Sequence, residues 1–180
     1  FHIFAYEHGA KKSATDFAIT VSGIIYIGWF GSFFIALRDL PEGFWWLMLV
    51  LPAVMFTDIG GFIFGSMIGK HHMSPLISPK KTWEGYFGGM VMSVLITAGV
   101  AVLWNLRVDS ITYDKGLLVG FFVSLLAPLG DFGESMFKRQ FGVKDSGKIF
   151  PGHGGMLDRI DSWLWAGIIG YYMVFFLWLH

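Results

Sequence analysis

Five long apolar runs constrain this chain more than any other feature. They span approximately 17–37, 44–68, 86–106, 116–137 and 163–179. Each supplies roughly the 20 residues that a helix rising about 1.5 Å per residue needs to cross hydrocarbon. Inside a bilayer a backbone must satisfy its own hydrogen bonds, which leaves helices or closed barrels. Runs this long and this continuously apolar predict helices. The expected fold is therefore all-α, a polytopic transmembrane bundle of about five spans in one membrane-embedded catalytic domain over 1–180. The composition agrees, with 54% hydrophobic and 14% charged residues against roughly 25% charged in soluble domains. Cysteine is absent, which excludes disulfides and thiolate metal sites. The chain opens at Phe1, in mid-pattern and without an initiator Met, and reads as the C-terminal part of a longer protein.

Trp45, Trp46, Trp104, Trp163, Trp165 and Trp178 fall near the ends of these runs, as an interfacial aromatic belt requires. With five spans, the N-terminus and the loops after spans two and four share one side. That side holds Lys11, Lys12, Lys70, Lys80, Lys81, Lys138, Arg139, Lys144, Lys148 and Arg159. Only Arg38, Arg107 and Lys115 lie on the other. The excess of basic residues predicts that the first group faces the cytoplasm.

The densest concentration of charge lies between Asp131 and Asp161. Five carboxylates and five Lys or Arg occupy that stretch, with apolar runs on both sides. Ionisable groups beside hydrocarbon are expensive and are functional candidates by default. Asp131 and Glu134 stand three apart, so one helical face presents both. Asp158 and Asp161 repeat the spacing at the entry to the fifth span. Helix capping by the second pair is the plainer alternative; the functional one is convergence of both pairs on Mg²⁺ through oxygen ligands. Lys138, Arg139, Lys144 and Lys148 exceed what membrane anchoring needs and suit phosphate binding. The run Pro151-Gly152-His153-Gly154-Gly155 is compatible with a backbone cradle for an anion. His153 itself is open between phosphate donor, base and ordinary loop histidine.

Two further features remain ambiguous on residue grounds alone. Asp58 lies within the second run, followed by Gly60, Gly61, Gly65 and Gly69. These glycines are either a helix-packing face or the lining of a site. The loop from Gly69 to Gly85 combines two Ser-Pro pairs, Lys80-Lys81 and Trp83, a mixture able to pair with phosphates and stack on a base. Adjacent His71 and His72 face different ways on regular structure, which disfavours zinc. Neither GxxxxGK[ST] nor GxGxxG occurs, so no P-loop or Rossmann handling of a nucleotide is indicated.

Ser135, Lys138-Arg139, Lys144-Asp145, Pro151-Gly152-His153-Gly154-Gly155, Asp158-Arg159 and Asp161 resemble the signature of the phosphatidate cytidylyltransferase (CDP-diacylglycerol synthase) family. The stretch from Asp58 through Ser78-Pro79-Lys80-Lys81-Thr82-Trp83-Glu84-Gly85 to Gly88-Gly89 is similar to that family's other shared region, with Phe62 where a tyrosine is expected. The resemblance implies cytidylyl transfer from CTP to phosphatidic acid, giving CDP-diacylglycerol and pyrophosphate for phospholipid synthesis. It also implies a site of paired metals, Mg²⁺ with a second cation. Asp131 and Asp158 are then the expected principal metal ligands, supported by Asp161 and Glu134. The catalytic set is Asp131, Asp158, Lys144, Arg159 and His153. Lys80, Lys81, Thr82, Trp83, Lys138, Arg139, Ser135, Gly154 and Gly155 are the expected substrate contacts. Expected partners are CTP, phosphatidic acid and bilayer lipid, with no nucleic acid and with a homodimer as an allowed assembly. The implied location is a bacterial inner membrane with the site facing the cytoplasm. Two alternatives are a CTP-dependent enzyme acting on another membrane lipid and a secondary transporter. A transporter has no need of KR, KD, GHGG and DRID in series.

Overall fold

The structure is a computed structural model that describes residues 1–147 and 155–178. After a short helix α1 (His2–Glu7), four long helical segments and a final helix form the bundle. These are α2 (Ser13–Asp39), α3 (Gly43–Ile68), α4 (Trp83–Asn105), the broken pair α5 (Tyr113–Leu126) and α6 (Pro128–Gln140), and α7 (Leu157–Met173). A π-helical turn, Val174–Trp178, extends α7. Five segments are long and apolar enough to cross a membrane, and the chain is read as an integral membrane protein.

Three departures from the sequence reading matter. The connector between α3 and α4 is not a plain loop but an antiparallel ribbon, β1 (His72–Ser74) and β2 (Ser78–Thr82), pairing His72 with Thr82 and Ser74 with Ser78. Ser-Pro and Lys-Lys carry no strand periodicity, so pairing across the hairpin decides the conformation. The fourth apolar run is interrupted at Pro128, whose missing N–H ends one hydrogen-bond ladder while its fixed φ starts the next helix. The fifth helix begins at Leu157, six residues before the apolar run. Asp158 and Asp161, at the entry to the fifth span, therefore sit within its first two turns.

Both helix-breaking prolines are compensated from α4. Pro52 lies inside α3, leaving the Met48 carbonyl without its usual partner four residues on. The Trp104 indole N–H donates to that carbonyl at 3.4 Å. At the Pro128 break, the Tyr86 hydroxyl donates to the Leu125 carbonyl at 2.9 Å. The α3–α4 crossing is close because it is lined by glycine. A Cβ at Gly89 would lie 2.5 Å from the Thr57 carbonyl, and one at Gly85 would lie 2.7 Å from the Gly61 carbonyl. Leu37, Leu49, Val50, Val54, Val119 and Val123 fill the centre of the bundle and are fully buried.

Candidate active site

Helices α3, α4, α6 and α7 and both hairpin strands converge on one cavity of about 570 Å³, at the end of the bundle where the hairpin sits. Helix α3 contributes Asp58, β2 contributes Lys80 and Lys81, α6 contributes Asp131, Glu134 and Lys138, and α7 contributes Asp158, Arg159 and Asp161. Local sequence explains each placement. Gly130 lets α6 touch α7, since a Cβ there would collide with the Asp161 carbonyl and lie 2.7 Å from the Trp165 ring. That contact carries the next residue, Asp131, to Asp161. Thr82 ends β2 in extended conformation and caps α4 by accepting the Gly85 N–H at 3.2 Å. Its cap fixes where the preceding lysines emerge.

The carboxylates separate into two groups. Asp131, Glu134 and Asp161 each offer an oxygen within 4.8 Å of the others. Glu134 and Asp161 are 5% and 7% exposed. Neither Glu134 oxygen has a hydrogen-bond donor in good geometry among the described residues, although the Lys138 ammonium lies 2.6 Å from Oε2. Carboxylates crowded this closely repel one another unless cations meet them, and Lys81 and Lys138 supply part of that charge. An all-oxygen, acidic donor set suits a hard cation such as Mg²⁺, so these residues fit the group implied by the sequence. Asp158 behaves otherwise. Its Oδ1 accepts from Lys138 Nζ at 2.6 Å, and its Oδ2 accepts from Gly155 N (2.6 Å), Ser146 Oγ (2.8 Å) and Ser146 N (2.9 Å). Its Oδ1 ties α6 to the start of α7, and its Oδ2 ties Ser146 and Gly155 there. Geometry thus gathers three of the four expected ligands within one cluster, while Asp158 lines the same cavity with both oxygens in hydrogen bonds.

Basic groups interleave with the acids. Lys81 Nζ lies 2.5 Å from Asp131 Oδ2 and 4.0 Å from the centre of the Phe132 ring. Lys138 bridges Glu134 and Asp158. Ser135 is buried and donates to Asp131 Oδ1 at 3.2 Å, orienting that carboxylate and not lining the cavity. Arg139 points to the hairpin turn, where its Nε donates to the Ile77 carbonyl at 3.2 Å. Lys144 sits on an exposed connection outside the cavity lining. Gly155 is buried and occupied with Asp158. Lys148, His153 and Gly154 lie outside the described residues. Trp83 faces a second hollow beside Phe87, not this cavity.

Asp58 is the main residue absent from the expected ligand set. Of its glycine neighbours, Gly60, Gly65 and Gly69 pack against α4 and Thr82, whereas Gly61 and the Asp58 side chain line the cavity. Its depth within an apolar run is the signal that identifies it. Tyr86 and Trp163 also line the cavity, and no local pattern distinguishes them from ordinary interfacial aromatics. Ser146, which anchors Asp158, carries no signal at all.

Relatives bear on what this arrangement is. A sequence model of the Cytidylyltransferase family matches residues 1–177. A curated protein of Staphylococcus epidermidis named phosphatidate cytidylyltransferase is 41% identical over 156 residues, covering 87% of this chain. Proteins of the same name from Staphylococcus haemolyticus and Staphylococcus saprophyticus are 41% and 38% identical over 158 and 156 residues, with the same coverage. The chain spans 58% of the length of these relatives. A family match over nearly every residue, including the whole of the cavity described above, means that this chain belongs to the cytidylyltransferase family.

Proposed function

We propose that this chain carries the reaction centre for transfer of a cytidylyl group from CTP to phosphatidic acid. The observation that carries the reading is the cluster of Asp131, Glu134 and Asp161, with ligand oxygens within 4.8 Å, beside Lys81 and Lys138 in one cavity. In the reaction a phosphate oxygen of phosphatidic acid attacks the α-phosphorus of CTP. The new P–O bond forms as the bond to the bridging oxygen of the β-phosphate breaks, and pyrophosphate leaves with that electron pair. The acceptor is already an anion, so no general base is required. What the step demands is charge neutralisation and alignment.

Asp131, Glu134 and Asp161 would hold Mg²⁺, with Asp58 available to a second cation across the cavity. Bound there, Mg²⁺ would neutralise charge on the triphosphate and on the leaving pyrophosphate. Lys81 is held at Asp131 and Lys138 at Glu134 and Asp158, so both ammonium groups are kept among the acids until phosphates supply a competing anion. Lys80 and Arg159 line the cavity and offer further phosphate contacts. Asp158 anchors Lys138, Ser146 and Gly155. The cavity lies at the ends of membrane-spanning helices, where a lipid phosphate and a soluble nucleotide can meet. The bias of basic residues toward this end supports a cytoplasmic orientation, and the staphylococcal relatives support a bacterial cytoplasmic membrane.

Radiolabelled CTP supplied with phosphatidic acid in detergent tests the reading on the full-length protein. Mg²⁺-dependent formation of labelled CDP-diacylglycerol is the expected result. Labelling of a different lipid acceptor, or no product with Mg²⁺ present, would overturn it.

A further inference from the structure

The hairpin has a second face, turned away from the cavity. There a shallow hollow is bordered by Lys70, His71, His72, Trp83, Glu84 and Phe87. We infer that this hollow binds the headgroup of an anionic phospholipid whose acyl chain lies along the outer surface of α4, at a site separate from the reaction cavity. The inference goes beyond cytidylyl transfer and does not rest on it.

Charge supplies the first argument. Glu84 is the acid of the hollow, and its carboxylate is already committed. It accepts from His71 Nδ1 at 2.6 Å and from the backbone N–H groups of Lys70 and His71 at 3.2 Å. The side chains of Lys70 and His72 have no hydrogen-bond or ion-pair partner among the described residues, and both are exposed. The hollow therefore presents an ammonium and an imidazole to an incoming anion, while its one carboxylate is tied to the base of the hairpin.

The second argument is the surface below those groups. Trp83, Phe87, Val91 and Leu95 follow one another at intervals of four on α4 and are 47–64% exposed. Residues four apart form one inclined ridge on a helix. From Trp83 to Leu95 that ridge runs about 18 Å at about 1.5 Å per residue. Half the hydrocarbon core of a bilayer is about 15 Å. The Trp83 and Phe87 rings lie within 26° of parallel with centres 6.1 Å apart, forming a flat aromatic start to the track at the headgroup level, where such rings are favoured. A free nucleotide or phosphate ion would use the basic end and leave the ridge idle. A lipid uses both.

The test is quenching of Trp83 fluorescence by brominated lipids in nanodiscs. Subtracting the Trp83→Phe spectrum isolates that tryptophan from the chain's others. Brominated phosphatidylglycerol should half-quench the signal at about one fifth of the mole fraction required of brominated phosphatidylcholine, the preference expected of a basic group near the membrane surface. Lys70→Gln combined with His72→Gln should bring the two lipids level, whereas Asp131→Asn should leave the preference intact. Equal quenching by the two lipids from the outset would overturn the inference, as would a preference that survives the double substitution or disappears in Asp131→Asn. Displacement of the lipid by millimolar inorganic phosphate or CTP would reassign the hollow to a free anion. Shielding from both lipids would mean that protein covers the face. Because the readout needs no turnover, its failure is distinguishable from failure of the catalytic reading.

Discussion

The two ends of this bundle are made from similar residues and put them to opposite uses. At the end away from the hairpin, Trp46 stacks on Trp178 with ring centres 4.9 Å apart and 9° from parallel. Lys115 lies 5.5 Å and 5.6 Å from the centres of those two rings and donates to the Ser110 carbonyl at 2.7 Å. The Glu42 carboxylate accepts from the Ser110 hydroxyl, and Ile111 is fully buried beneath. Each of these contacts is complete. At the hairpin end, three carboxylates crowd together, and Lys81 and Lys138 are shared among the acids. One end is completed by side chains alone, whereas the other gathers carboxylates that could also hold a metal ion. Local crowding of this kind is where natural sequences depart from the rules of stability for the sake of function.

Substitutions should separate the two ends, and the largest effect is expected in the carboxylate cluster. Asp131→Asn or Asp161→Asn should lower cytidylyl transfer by about a thousandfold or more, the scale of losing several kcal/mol of charge stabilisation. Mg²⁺ binding, followed by isothermal titration, should weaken in parallel, while resistance to unfolding stays the same or rises as like charges are relieved. An inactive Asp131→Asn protein that also unfolds early would erase the contrast between the ends. Next in size is Gly130→Ala. Its methyl group would press on the Asp161 carbonyl and the Trp165 ring, moving α6 from α7. Displacement on the order of 1 Å costs about a hundredfold in rate, and overpacking costs about 1–3 kcal/mol. Both losses should appear together in kinetics and in denaturant unfolding.

Trp46→Ala should do the reverse of Asp131→Asn. Removing a buried indole costs about 3 kcal/mol, read as earlier unfolding in SDS, with turnover at moderate temperature kept within about twofold. Loss of turnover in a still-folded Trp46→Ala protein would show that the two ends are not independent. Asp158→Asn sharpens the distinction within the site itself. Its oxygens hold Lys138, Ser146 and Gly155, so turnover should fall while Mg²⁺ affinity stays within a few-fold of the parent. A loss of Mg²⁺ affinity equal to that of Asp131→Asn would return Asp158 to the metal. The smallest expected effect is that of Thr82→Ala, about 1 kcal/mol for a lost helix cap, measured by unfolding.

How far the sequence reveals this arrangement depends on the distance over which its causes act. Bilayer spans depend on local hydrophobicity, so the five helical segments were legible, and so was the candidacy of acids placed beside them. Asp131 with Glu134 follows from helix periodicity. The partner of that pair does not. Asp158 and Asp161 share the same three-residue spacing, and it is Asp161 that joins the α6 carboxylates, beside the contact at Gly130, 31 residues away in sequence. The ribbon from His72 to Thr82 was hidden for a similar reason, since its pairing is stabilised across the hairpin and by the caps at its ends. Asp58 was visible as an anomaly, but whether it faced a helix or a cavity depended on the glycines that draw α4 against α3. Arg139 reads as a phosphate ligand in a basic cluster, yet rotation along α6 aims it at the hairpin turn.

The break at Pro128 carries a mechanical consequence. A single unbroken helix from Tyr113 to Gln140 would behave as a lever, and any change of its tilt in a thicker or thinner bilayer would swing Asp131 and Glu134 away from Asp161. Spanning helices do tilt as membrane thickness changes. With the ladder interrupted, α5 and α6 meet at a joint whose loose carbonyl is held by Tyr86, and α6 takes its bearing from α7 through Gly130. The segment that carries Asp131 and Glu134 is therefore positioned by its contact with α7 at Gly130 as well as by its junction with α5.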